Sequence, residues 1–133
     1  MKTSLWELQK ALFLRLSQDD DLTNRVSGVF DDVDKNTPCP YVTIGEPIVS
    51  PFETKTSFGE NMTIVIHCFS QYNGKKEAYD ILNLIMASLS KSPLRLGGGF
   101  SLVDFRLDRL QVITDSDGTT KHGILSVRYW INN

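Results

Sequence analysis

Phe58-Gly59-Glu60-Asn61-Met62-Thr63-Ile64-Val65-Ile66-His67-Cys68-Phe69-Ser70-Gln71-Tyr72-Asn73-Gly74, followed by Lys75-Lys76-Glu77-Ala78-Tyr79-Asp80-Ile81-Leu82-Asn83-Leu84-Ile85-Met86-Ala87-Ser88-Leu89, decides the fold. Side chains alternate along a strand, so Met62, Ile64, Ile66 and Cys68 share one face. Val65 and Phe69 share the other face with Thr63 and His67, which makes that face mixed. Asn73-Gly74 is a turn signal, and Asn73 is a candidate cap for the helix that follows. Ala78, Ile81, Leu82, Ile85 and Leu89 recur at helical spacing and form one apolar stripe. The stretch reads as one long strand, one tight corner and one amphipathic helix that close on each other, with Ile66 and Ile85 at the centre of a core.

The chain has 133 residues, 41% of them hydrophobic and 23% charged, with a net charge of −2. These values suit a single globular domain spanning 1–133. No apolar run approaches the roughly 18 residues of a membrane span. The N-terminus reads as a helix start rather than a secretion signal. Two cysteines, Cys39 and Cys68, do not make a disulfide framework. A slightly acidic chain lacks the basic stripe of a general nucleic-acid binder.

Upstream, Ser4 and Glu7 have capping-box spacing. Leu5, Leu8, Leu12 and Leu16 form the stripe of a first helix. Trp6 and Phe13 lie on one flank of it, either widening the core-facing side or meeting another subunit. Gln18 to Val26 reads as a short second helix, with Asp19, Asp20 and Asp21 at its positive N-terminal end and Leu22 and Val26 as anchors. Gly28-Val29-Phe30 suggests a brief strand, and 31–40 a loop. Tyr41-Val42-Thr43-Ile44-Gly45 begins another strand.

The segment 46–57 is read as a long loop because Pro47 and Pro51 exclude it from a central strand. Loops of this length in compact chains are usually functional or disordered. Ile48, Val49 and Phe52 lack a clear place in the core. With Thr54, Lys55 and Thr56 they suggest an arm offered to a neighbouring subunit; the alternative is a loop folded back on its own chain.

After the central helix, Lys91-Ser92-Pro93 is a stop, Leu94-Arg95-Leu96 a short strand and Gly97-Gly98-Gly99 a flexible point. In the strand Phe100–Thr114 the inward residues are expected to be Val103, Phe105, Leu107 and Val112. Asp115-Ser116-Asp117-Gly118 is a hairpin turn. The last strand puts Leu125, Val127, Tyr129 and Ile131 on one face. Trp130 falls on the other, as a candidate interface aromatic.

Catalytic and metal chemistry finds little support. Cys39, His67, Cys68 and His122 lack zinc-ligand spacing, since adjacent His67 and Cys68 point to opposite faces. Asp31, Asp32 and Asp34 lack the remaining ligands of a calcium loop. No cofactor motif is present. The glycine triplet lacks the Lys-Ser/Thr of a phosphate loop.

Several stretches together resemble a known family. They are Pro40-Tyr41-Val42-Thr43-Ile44-Gly45, the loop with Thr54-Lys55-Thr56 and Gly59, and the strand end Phe69-Ser70. The helix with Glu77-Ala78, and Asp117-Gly118 followed by His122-Gly123-Ile124-Leu125, complete the series. In order, these resemble the tail-completion, or tail-to-head joining, proteins of long-tailed phages and prophages. Cys39 and His67 depart from the pattern.

The resemblance implies an α+β fold: a curved, mainly antiparallel β-sheet with two principal helices packed on it. It implies a structural virion protein without enzymatic activity or cofactor. Such a protein assembles in the host cytoplasm into a ring, usually of six subunits, at the head-proximal end of the tail tube. Its implied partners are its own copies, the tail tube protein and the head connector or stopper. DNA would pass through the channel without specific binding, and no membrane is involved. A tail terminator capping the tube is the near alternative. A small hydrolase and a regulatory binding module are alternatives of other classes.

Overall fold

The computed structural model describes residues 2–53 and 58–133, with the side chains of Phe52, Glu53 and Phe58 left aside. The order of elements is α1 (Leu5–Ser17), α2 (Asp20–Thr23), β1 (Val29–Phe30), β2 (Tyr41–Ile44) and β3 (Ile48–Glu53). Then come β4 (Phe58–Ser70), α3 (Lys76–Ser90), β5 (Ser101–Thr114) and β6 (Lys121–Asn132). Six strands form one mixed sheet in the order β1-β2-β4-β6-β5, with β3 also paired to β4. Only β1 and β2 run parallel; the other pairings are antiparallel.

The central strand and helix form as their periodicities predict. Met62, Ile64, Ile66 and Cys68 are fully buried, as are Ala78, Ile81 and Ile85. β4 pairs with β6 along its whole length, Ile66 opposite Leu125 and Ile64 opposite Val127. Directly opposed residues share a face, so one apolar sheet surface results. Helix α3 lies on it across β4 and β6, and α1 packs beside α3. Gly123 is required at this contact: a Cβ there would collide with Cys68 Sγ and press on Leu82 Cδ1 at 3.1 Å.

Helix α1 buries Leu8, Leu12 and Leu16, but Leu5 is 38% exposed and falls outside the stripe. The expected capping box does not form, because the Ser4 side chain makes no capping bond. Instead the Ser4 backbone N–H donates to Oε1 of Glu60, 2.8 Å away and buried. A carboxylate from β4 therefore caps the helix, where the positive end of its dipole favours an anion. Asn73 does not cap α3 either, since the N-cap position is Lys75. In α2 the Asp19 carboxylate does cap, accepting from Leu22 N–H at 3.2 Å.

The C-terminal end of α3 is tied to α1 by Arg15. Its guanidinium donates to the carbonyls of Ser88 (2.7 Å) and Ser92 (3.0 Å), and to Ser92 Oγ (3.0 Å). These are the carbonyls a helix end leaves without partners. The predicted strand Leu94–Leu96 is absent; the segment is irregular, with Leu94 buried as an anchor.

The largest correction concerns 46–57. Ile48–Glu53 is a strand, not a loop, and pairs with β4 from Ile48↔Thr63 to Glu53↔Phe58. Proline argues only against a central strand. Among the described residues β3 has β4 as its sole neighbour, so Pro51 sits on an edge where a missing N–H is tolerated.

Candidate interaction surface

Strand β3 alternates as a half-buried strand should. Val49 packs against the core of its own chain, while Ile48 is 70% exposed. Of the three apolar residues expected to reach a neighbour, Ile48 is thus presented and Val49 is already engaged. The side chain of Phe52, and Thr54, Lys55 and Thr56, lie outside the described residues.

On α1, Trp6 is 65% exposed and Phe13 is 39% exposed. The flank therefore faces away from the core, with the exposed Leu14 nearby. Trp130 lies on the helix-free face of the sheet between two arginines, the guanidiniums of Arg106 and Arg128 at 5.6 and 5.9 Å from its ring. Asp104 and Asp108 pair with those arginines. Trp130 is only part-exposed, so the cations cover some of the ring that sequence reading assigns to an interface.

Strand β5 holds the feature the sequence concealed. Register shifts occur at Leu102/Asp104 and at Leu107/Arg109. Each bulge breaks the two-residue alternation. Val103 turns out to 58% exposure, against expectation. Leu107 lies opposite the buried Val127, and Leu110 opposite Leu125, so both sit on the helix side of the sheet. Yet they are 48% and 45% exposed, because α3 covers β4 and β6 and does not extend over them. Phe105 and Val112 are part-buried against the core, and Phe105 lies 5.1 Å from the ring of Tyr129.

At one end of this strip a cavity of about 380 Å³ opens between β5 and the α3–β5 connection. Leu89, Pro93, Leu94, Leu102, Phe105 and Tyr129 are among its lining residues. The Tyr129 hydroxyl is buried without a hydrogen-bond partner, and burial pushes its pKa above the ordinary phenol range.

His67 and His122, unconnected in the sequence, are brought together by the β4–β6 register. Nδ1 of His67 and Nε2 of His122 share a hydrogen bond of 2.7 Å. Phe69 stacks on His122 with ring centres 4.4 Å apart, and Tyr41 stacks on Phe69 at 5.0 Å. His122 Nδ1 is 3.7 Å from Asp115 Oδ1. Burial lowers the pKa of both histidines; His122 reinforces this for His67, while Asp115 opposes it for His122. Cys68 faces the opposite, core side, where burial raises its thiol to about 12. Such a thiol is a poor nucleophile at neutral pH. Among the described residues, no three His, Cys, Asp or Glu side chains gather to hold a metal ion, and no helix is long and apolar enough to cross a membrane.

The surface is therefore one of unpaired apolar residues and an open sheet edge. Comparison with known proteins gives the family. Residues 10–132 match the family described as tail completion protein gp17. The chain belongs to this family of phage tail completion proteins. It is 44% identical over 126 residues to the tail completion protein gp17 of Bacillus phage SPP1, covering 95% of this chain and 92% of that protein. The solved structure of bacteriophage SPP1 gp17 matches with a TM-score of 0.67 at 39% identity, over 96% of this chain and 91% of that one. A chain in the virion of a native gene transfer agent particle matches with a TM-score of 0.90, over the full length of both chains. At 22% identity that likeness concerns the fold alone. The family is one of structural virion proteins of the phage tail. The α+β fold implied by the resemblance is the one observed, with a mainly antiparallel sheet in which β1 and β2 pair in parallel.

Proposed function

We propose that this tail completion protein works as a ring, of six copies, at the head-proximal end of the tail tube, and that the ring joins the tube to the head connector. Membership of the family is the observation that carries this reading. The surface supports it, with Ile48, Trp6 and Phe13 left exposed outside the core. The strand β3 is the arm that meets a neighbour, with Thr54, Lys55 and Thr56, next in the sequence, as its polar contacts. A net charge of −2 suits a channel through which DNA slides, because phosphate affinity comes largely from Lys and Arg.

The test is joining in vitro. Tails made without this protein are mixed with filled heads, and the purified protein is added. Joined particles counted by electron microscopy should appear only with the protein present. Equal joining without it, or tails capped but still unable to join, would refute the role; the second outcome would mark a terminator.

A further inference from the structure

The helix side of β5 is apolar and uncovered, and it ends in a cavity whose wall carries an unpartnered tyrosine hydroxyl. β5 lies at one edge of the sheet and has β6 as its only neighbour. At the opposite edge β3 presents Ile48 from the other face, since Ile48 pairs with Thr63 while Val49 points to the core. A projecting apolar residue at one edge and an apolar cavity at the other give a head-to-tail contact, which closes into a ring when the rotation permits.

The charges are distributed in the same sense. Flanking β2 and leading into β3, the acids Asp31, Asp32, Asp34 and Glu46 are exposed, with Lys35 the cation beside them among the described residues. Asp31, Asp32 and Glu46 line a shallow groove with Tyr41 and Phe69 on the helix-free face. Beside the cavity, Arg15 and Arg95 line a groove with Ser92, Pro93 and Leu94 of the α3–β5 connection, while Asp104 on the cavity wall is paired with Arg106. Among the described residues neither Arg15 nor Arg95 has a carboxylate within 4.0 Å, nor does any of those four acids have a cationic partner. Complementary potentials of this kind fix register and suppress the wrong pairing.

We infer that the uncovered helix-side face of β5 receives β3 of a second copy of this chain, with Ile48 seated in the cavity beside Tyr129 and Glu46 facing Arg95. Neighbouring sheets then overlap like shingles, the helix-free face of one edge lying under the helix side of the next. The contact rests on the ring reading above. It gives that ring a direction, because unlike surfaces meet at every joint.

Cysteine pairing on assembled tails tests it. In a Cys39→Ser background, Ile48→Cys and Val103→Cys are introduced singly and together, and a short thiol cross-linker is applied to tails completed with the protein. The double variant should give a ladder extending beyond the dimer, and neither single variant should cross-link. Linking by Val103→Cys alone would mean that β5 meets β5, overturning the inference. Rings seen by electron microscopy without any ladder would overturn it and leave the ring intact; absence of rings with wild-type protein would overturn both. Charge reversal supplies a second arm. Glu46→Arg and Arg95→Glu should each reduce ring yield, and their combination should restore it. Failure of the combination to restore it, with both proteins folded, would also overturn the contact.

Discussion

At the residue scale, single side chains decide how tightly sheet and helix close. Gly123 has no room for a methyl group, with Cys68 Sγ directly in its way and Leu82 behind. Gly123→Ala is expected to destabilise the protein by about 1–3 kcal/mol, the usual range for overpacking. Adding Cys68→Ala should return part of that loss. The two effects are coupled through one contact, so a double-mutant cycle in urea should give a non-zero interaction; strict additivity would contradict the close approach. The histidine pair sets a pH dependence. Burial lowers both pKa values below the ordinary 6.5. The folded state therefore favours the neutral rings, and the unfolded chain takes up protons first as pH falls through that value. Stability should fall on acidification from about pH 7.5 to about pH 5, where the unfolded state binds more protons. Thermal unfolding across that window should show the slope, and His67→Gln with His122→Gln should flatten it.

At the scale of elements, the two regular periodicities were readable and the interrupted ones were not. The faces of β4 and α3 follow directly from Met62, Ile64, Ile66 and Ile81, Leu82, Ile85. Ile66→Ala or Ile85→Ala should each cost about 2–5 kcal/mol as a cavity opens in the core. Chemical denaturation measures this, and losses under about half a kcal/mol, as at ordinary surface sites, would contradict the packing. β5 escaped because its bulges at Val103 and Asp108 reset the alternation, and because coverage depends on where α3 ends. β3 escaped because Pro47 and Pro51 read as loop residues, although an edge strand tolerates them. The cap on α1 came from Glu60, 56 positions from Ser4, and no local spacing announces it. Glu60→Ala should therefore destabilise the chain by about 1.5–3 kcal/mol, the range for a hydrogen bond to a charged group, while Glu7→Ala should cost much less. Of the expected interface residues, Ile48, Trp6 and Phe13 are outward, and Val49 is not. Sequence alone separates Ile48 from Val49 only once the strand is known to exist.

For the whole molecule, the account is of a small α+β subunit whose open sheet edges differ from each other. One presents Ile48, the other an apolar strip that ends in a cavity with Arg15 and Arg95 in the adjoining groove. A subunit with unlike edges favours closed rings over symmetric dimers. The family supplies the setting, the phage tail. The direct measurement is a cryo-electron microscopy reconstruction of the head–tail joint, completed with purified protein. The account predicts a closed ring of this chain between tube and connector, each β3 lying on the β5 of the next copy. A joint in which the chain is absent, or present as separate subunits that do not touch one another, would contradict it.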